Sequence, residues 1–256
     1  SSQSEVYGNI IERAWKVPGW QGVKPTVFLH NQSVFRNNIV RDIEGATAIE
    51  AHGETIIEQN ILGDYSGRHG TIGLLVNVGN NHTIRNNKIG GFTANVLLIG
   101  TTPTFSRNSF IGSSDNEFNV VVGSGNININ DSVRYDIGVN GDSYNEENVK
   151  INMRSNYWGA AQSENDISAS IFDYVDNFDV RGEIVFSDNL SIPDDKTPIS
   201  PPVNLKVTET SLNTYELSWD PNIESDVNGY VLYSGESTVT NISGLDETEA
   251  EVQIDD

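Results

Sequence analysis

The sequence predicts an all-β chain: a right-handed parallel β-helix of about seven coils with a C-terminal cap over residues 1–187, a Pro-rich linker over 188–202, and a small, incomplete β-sandwich over 203–256. Three observations carry that prediction. A unit of the form apolar-x-x-Asn-x-apolar recurs through the first part, a second apolar strip ending on glycine recurs between its copies, and the texture changes to prolines and alternating strands near residue 188.

The repeated unit reads Val6–Ile11, Phe35–Val40, Ile57–Leu62, Ile84–Ile89, Phe105–Phe110 and Met153–Trp158. Its asparagines stand at 9, 38, 60, 87, 108 and 156, with gaps of 29, 22, 27, 21 and 48. The last gap reads as two coils, the missing one degenerate and near Ile129–Arg134. The second strip comprises Ala48–Gly53, Leu74–Gly79, Val96–Gly100, Val120–Gly123 and Ile137–Gly141. Two short apolar strands per period of twenty-odd residues leave no room for a crossover helix, so a solenoid is predicted over a βαβ arrangement. Stacking like on like also explains the asparagines. Each amide can bond its copies above and below while it satisfies the backbone of a tight turn. Leu74-Leu75-Val76 and Val96-Leu97-Leu98-Ile99 are apolar on both faces, so a cover over the outer face is expected there, from a loop, from the acidic segment 164–190 or from a partner.

The pattern resembles the right-handed parallel β-helix repeats of the pectate-lyase-like superfamily over about 150 residues. Ser155-Asn156-Tyr157-Trp158-Gly159, followed by the acidic segment Glu164-Asn165-Asp166-Ile167, is similar to the Asn-aromatic-Trp-Gly ending of secreted bacterial β-helix proteins. The resemblance implies that Trp158 closes the last coil and that the residues after it cover the open end of the stack.

Asp188–Pro202 holds four prolines and reads as extended chain. Strands are predicted beyond it at Val203–Val207, Tyr215–Trp219, Gly229–Tyr233 and Ala250–Ile254. The Pro-Pro entry, Trp219 closing the second strand, Asp220-Pro221 and the Gly229-Tyr230-Val231-Leu232-Tyr233 strand are similar to a fibronectin type III domain. Such a sandwich has about seven strands in roughly 100 residues. The last two strands are expected to be absent from residues 201–256.

Composition narrows the function. Asp and Glu number 36 against 15 Lys and Arg, a net charge of −21, which argues against nucleic acid and anionic membranes as partners. With no cysteine there is no disulfide framework, thiol nucleophile or thiolate zinc site. No apolar run approaches the roughly 18 residues of a membrane span. Ser1-Ser2-Gln3-Ser4 lacks a signal-peptide pattern, yet the resemblance implies a secreted or cell-surface setting.

Chemistry-bearing clusters are sparse. His30, His52, His69 and His82 are scattered without metal-ligand spacing, and no zinc, phosphate-loop or nucleophile-elbow motif is present. A polysaccharide lyase of this fold would need carboxylates holding Ca²⁺ beside a basic residue. Asp42, Glu44, Asp64, Asp115, Glu117 and Asp136 follow strands, and Arg68, Lys88 and Arg107 are the nearest cations, but Lys88 and Arg107 look like members of the repeat. Asp173, Asp176 and Asp179 form the densest acidic group and are the candidate metal ligands, with Ca²⁺ the cofactor they would admit. Trp15, Trp20 and Tyr65 are the candidates for stacking on sugar rings, whereas Trp158 and Trp219 read as cap and core.

These features favour a module of a secreted multimodular surface protein, adhesive, structural or carbohydrate-binding, with a polysaccharide or cell-surface partner. A polysaccharide lyase or glycosidase is the alternative. A self-assembling fibre subunit, associating through sheet edges, is the third.

Overall fold

A computed structural model describes residues 4–12, 25–43, 47–63, 70–77, 79, 81–111, 118–123, 127–128, 136–137, 149–159, 161, 163–178, 180–199, 202–222, 227–234, 237–244 and 248–253. The chain divides into two compact units, Ser1–Pro198 and Ile199–Asp256.

The first unit is a three-sided parallel β-solenoid. Each coil supplies one strand to each of three parallel sheets of five, five and six strands. The first sheet stacks Ser4–Tyr7, Ser33–Arg36, Thr55–Glu58, Thr83–Arg85 and Thr104–Ser106. The second stacks Ile10–Glu12, Ile39–Arg41, Ile61–Gly63, Lys88–Gly90 and Ser109–Ile111. The third stacks Pro25–His30, Thr47–His52, Gly70–Asn77, Phe92–Ile99, Phe118–Gly123 and Ile171–Phe172. Strand residues alternate between faces. Phe35, Ile57, Ile84 and Phe105 of the first sheet, Val40, Leu62, Ile89 and Phe110 of the second, and Ile49, Leu74, Val96 and Val120 of the third therefore share one buried core.

The repeated asparagine turns the chain from the first sheet into the second. The residue just before it is left-handed at every described copy: Gly8, Asn37, Gln59, Asn86, Arg107, Ser155 and Asp188, with φ between 52° and 70°. Each asparagine amide then bridges coils. Asn60 Oδ1 accepts from Asn38 N and Nδ2 (2.9 and 3.1 Å), while Asn60 Nδ2 donates to Phe35 O and Asn87 Oδ1, both at 2.9 Å. Asn9, Asn38, Asn87, Asn108 and Asn156 continue the same ladder. The asparagines are thus scaffold, as their spacing predicts.

The coil arithmetic needs one correction. Asn108 N donates directly to Asn156 Oδ1 at 2.8 Å, so the gap of 48 is a single step in the stack with a long insertion, not two coils. The degenerate coil expected near 129–134 lies outside the described residues. Ile137 does not join the third sheet: it pairs antiparallel with Ile127, and the sheet continues instead with Ile171–Phe172. A seventh corner exists elsewhere. Ser155 N donates to Ser187 O and Leu190 N to Asn156 O, which stacks Phe186-Ser187-Asp188-Asn189-Leu190 on the sixth copy.

The Pro-rich stretch begins inside that corner and continues against the solenoid. Asp194 accepts from Asn86 Nδ2 (2.7 Å) and lies 3.6 Å from Arg107 Nε, and Thr197 Oγ1 donates to Arg107 O. Trp158 is buried on Phe110 and Phe186, with ring centroids 4.7 and 6.2 Å apart, and its Nε1 donates to Asn189 Oδ1. Among the described residues it stands last in the inner column of the second sheet. The helix Glu164–Ala169, capped by Ser163, follows. At the other end the first coil is more open, with Val6 38% exposed where its stacked partner Phe35 is fully buried.

On the outer face of the third sheet, Ile72, Leu97 and Val121 are buried in a second small apolar cluster with Leu75, Ala94, Ile99, Phe118 and Phe172. This is the strip that reads as apolar on both faces. Phe172 comes from the acidic segment and meets Phe118 edge-on at 5.9 Å.

The second unit pairs Val203–Ser211, Thr214–Asp220 and Glu249–Gln253 in one antiparallel sheet, and Gly229–Ser234 with Ser237–Ser243 in another. Trp219 and Tyr230 pack edge-on at 5.1 Å in its core with Val227. The strand Ser237–Ser243 is additional to those predicted; its hydroxyl-rich alternation carries a weak apolar signal. Leu205 and Val207 remain 57% exposed.

Candidate functional site

An active or binding site on a solenoid should depart from the repeat that builds the scaffold. One place does. In the third sheet, His30 stacks in register with His52 and then Asn77, and Phe28 with Glu50 and then Leu75. Their neighbours Leu29, Ala51 and Val76 point into the core, so alternation turns these side chains outward. Phe28 is 54% exposed, and its ring lies 5.0 Å from His52 and 6.1 Å from His30, while the two imidazoles stack at 6.4 Å. His52 Nε2 donates to Glu50 Oε1 at 2.6 Å, which fixes the ring against the carboxylate.

The chain leaves this patch through the turns that lead into the first sheet, and there a groove of about 410 Å³ opens between Gln32, Ser33, Glu54, Thr55, Ile56, Asn81 and Thr83. Ser33 pairs with Thr55, and Thr83 with Ile56, so Gln32, Glu54 and Asn81 occupy one register position on three successive coils. Asn81 Nδ2 donates to Glu54 Oε1 at 2.9 Å, and Gln32 N donates to Glu54 O. Below them Ser33 Oγ donates to His30 O, and Thr55 hydrogen-bonds the buried His82 at 2.8 Å. Gly53 makes the approach of coils possible here: its φ is +74°, and a Cβ on it would fall 1.9 Å from Asn31 Oδ1.

The residues singled out from the sequence fare differently. Trp15, Trp20, Tyr65 and Asp179 lie outside the described residues. Asp173 is buried and spends both carboxylate oxygens on backbone, accepting from Val175 N at 2.8 Å and Ile184 N at 2.6 Å, while Asp176 Oδ2 accepts from Asp173 N. Asp173 and Asp176 thus organise a turn. Among the described residues no three His, Asp or Glu side chains converge as metal ligands. Of the candidate bases, Lys88 is buried and Arg107 is a left-handed corner residue beside Asp194; Arg68 lies outside the described residues.

Burial raises the Asp173 carboxyl above its ordinary value of 3.8, the charges of Asp176 and Glu183 add to the rise, and the two backbone N–H groups oppose it. A group that holds its proton more tightly when folded contributes stability that is complete below the unfolded pKa and is lost as pH rises through the folded one. Asp173→Asn abolishes that titration. Urea unfolding at stepped pH should show the parent losing stability relative to Asp173→Asn as pH rises from 3.8. A relative stability that climbs with pH would mean that the backbone hydrogen bonds outweigh burial.

Fold and site together define a parallel β-solenoid with an aromatic flank and a polar corner groove. Comparison with protein-family models, curated proteins and solved structures finds no match. Among the described residues no helix is long and apolar enough to cross a membrane.

Proposed function

We propose that this chain is a glycan-binding module of a secreted, multimodular surface protein, with an adhesive or structural role. The carrying observation is the Phe28–His30–His52 patch placed directly beside a groove lined by amides, hydroxyls and a carboxylate. Sugar rings present apolar faces that stack on exposed aromatic rings, and hydroxyl edges that need just such polar partners. In this reading the solenoid belongs with the pectate-lyase-like β-helices and the second unit with fibronectin type III domains. The motifs that support those assignments are Asn156-Tyr157-Trp158-Gly159 in the first and Trp219-Asp220-Pro221 in the second. The open edges of the first coil are also compatible with self-association by strand pairing.

Phe28→Ala tests the reading. Removing the exposed ring should weaken glycan binding about tenfold, equivalent to roughly 1.4 kcal/mol of lost stacking and burial. Titration calorimetry against a polysaccharide panel measures it, and an affinity that Phe28→Ala leaves unchanged would sink the proposal.

A further inference from the structure

We infer that the corner groove takes an extended chain of uncharged or amino-bearing sugars lying along the stack axis, with Glu54 as the specificity-determining side chain. The inference rests on the glycan-binding reading and adds the class of ligand and its direction.

Direction follows from register. Gln32, Glu54 and Asn81 repeat one polar position on three coils, and parallel strands stack about 4.8 Å apart. A linear ligand whose repeat is close to that spacing can present the same group to each coil in turn. A chain running across the stack would meet this column once. The aromatic patch follows the same axis, since His30 and His52 also stand one coil apart.

Ligand class follows from charge. The described lining contains two carboxamides, three hydroxyls, one isoleucine and one carboxylate, with neither Lys nor Arg. Uronate and sulfated sugars need a cation to offset their charge. Here they would meet Glu54, with Glu50 on the adjoining flank, on a chain of net charge −21. A carboxylate accepts but does not donate. Glu54 Oε1 already takes the Asn81 amide, so its other oxygen is the acceptor offered to a sugar hydroxyl or ammonium. An acidic sugar supplies repulsion at that point, and an uncharged or amino sugar supplies a donor.

The test uses the whole chain in titration calorimetry with a cello-oligosaccharide series, a chitosan hexamer, polygalacturonate and dextran sulfate. Binding should occur to the cello-oligosaccharides, to the chitosan hexamer or to both, and polygalacturonate and dextran sulfate should give no heat. Affinity should rise with chain length and level off once the three rungs are spanned. Glu54→Gln keeps shape but halves the acceptor capacity, and should weaken binding tenfold or more with an unchanged melting temperature. Phe28-dependent binding of polygalacturonate or dextran sulfate would overturn the ligand class while sparing the glycan-binding reading. Phe28-dependent binding indifferent to Glu54→Gln would overturn the role of Glu54. Absence of binding to every chain would overturn both readings.

Discussion

Asn60→Ala is expected to cost about 4 kcal/mol of stability, a large effect for a single amide, because each orphaned buried polar group costs roughly 1–3 kcal/mol and this side chain serves several. Asn60 is fully buried. Its oxygen accepts from the backbone and the side chain of Asn38, and its amide donates to Phe35 O and Asn87 Oδ1. Alanine removes all four bonds where water has little access. Asn38 N and Phe35 O lose their amide partner, while Asn38 Nδ2 keeps Val6 O and Arg36 O, and Asn87 Oδ1 keeps the backbone N of residue 60. Asn60→Asp should be no milder at neutral pH, since it loses both donors and sets a charge against Asn87 Oδ1 and Phe35 O. Asn9 provides the internal control. It lies in the exposed first coil and donates to Asn38 Oδ1 and Tyr7 O. Asn9→Ala should therefore cost about 1 kcal/mol. Urea unfolding of the variants checks the gradient; equal costs at both positions would show that the ladder is not what holds the corners.

The scaffold was legible for the same reason that these substitutions should hurt. A stack repeats its demands at every coil, so the requirement for Asn at one corner is written six times and survives the noise of any single copy. What departs from the repeat is written once and is harder to read. The 48-residue gap could be two coils or one coil with an insertion, and spacing alone does not separate them; the Asn108–Asn156 bond does. Asp188 and Asn189 stand where prolines dominate, so their sequence reads as linker although Phe186 and Leu190 complete a corner. The candidate site is legible through the coil arithmetic and carries no motif of its own. His30 and His52 are 22 residues apart, the same gap as Asn38 to Asn60, and Gln32, Glu54 and Asn81 repeat the 22 and 27 of Asn38, Asn60 and Asn87. Carrying the coil period outward from the ladder places each set in one column. Histidines that look scattered along the chain are neighbours in a solenoid.

Trp158→Ala is the second large effect, and it should act locally as well as globally. The indole is buried at the end of the second sheet's inner column, against Phe110 below and Phe186 above. Truncating a buried Trp to Ala typically costs about 3–5 kcal/mol, the lost transfer energy plus the cavity. Trp158→Phe keeps a ring in the stack but removes the N–H given to Asn189 Oδ1, so about 1–2 kcal/mol should be lost. Stability in a solenoid is close to a sum of coil and nearest-neighbour interface terms. Damage at the cap should therefore loosen the top levels first. Hydrogen exchange of Trp158→Ala should show the amides of Ser155, Tyr157 and Leu190, which bond between the last corners, exchanging faster than in the parent. The amides of Asn38 and Asn60, deep in the ladder, should change less. Uniform acceleration along the whole stack would mean that the solenoid opens as one cooperative unit and that Trp158 is core rather than cap.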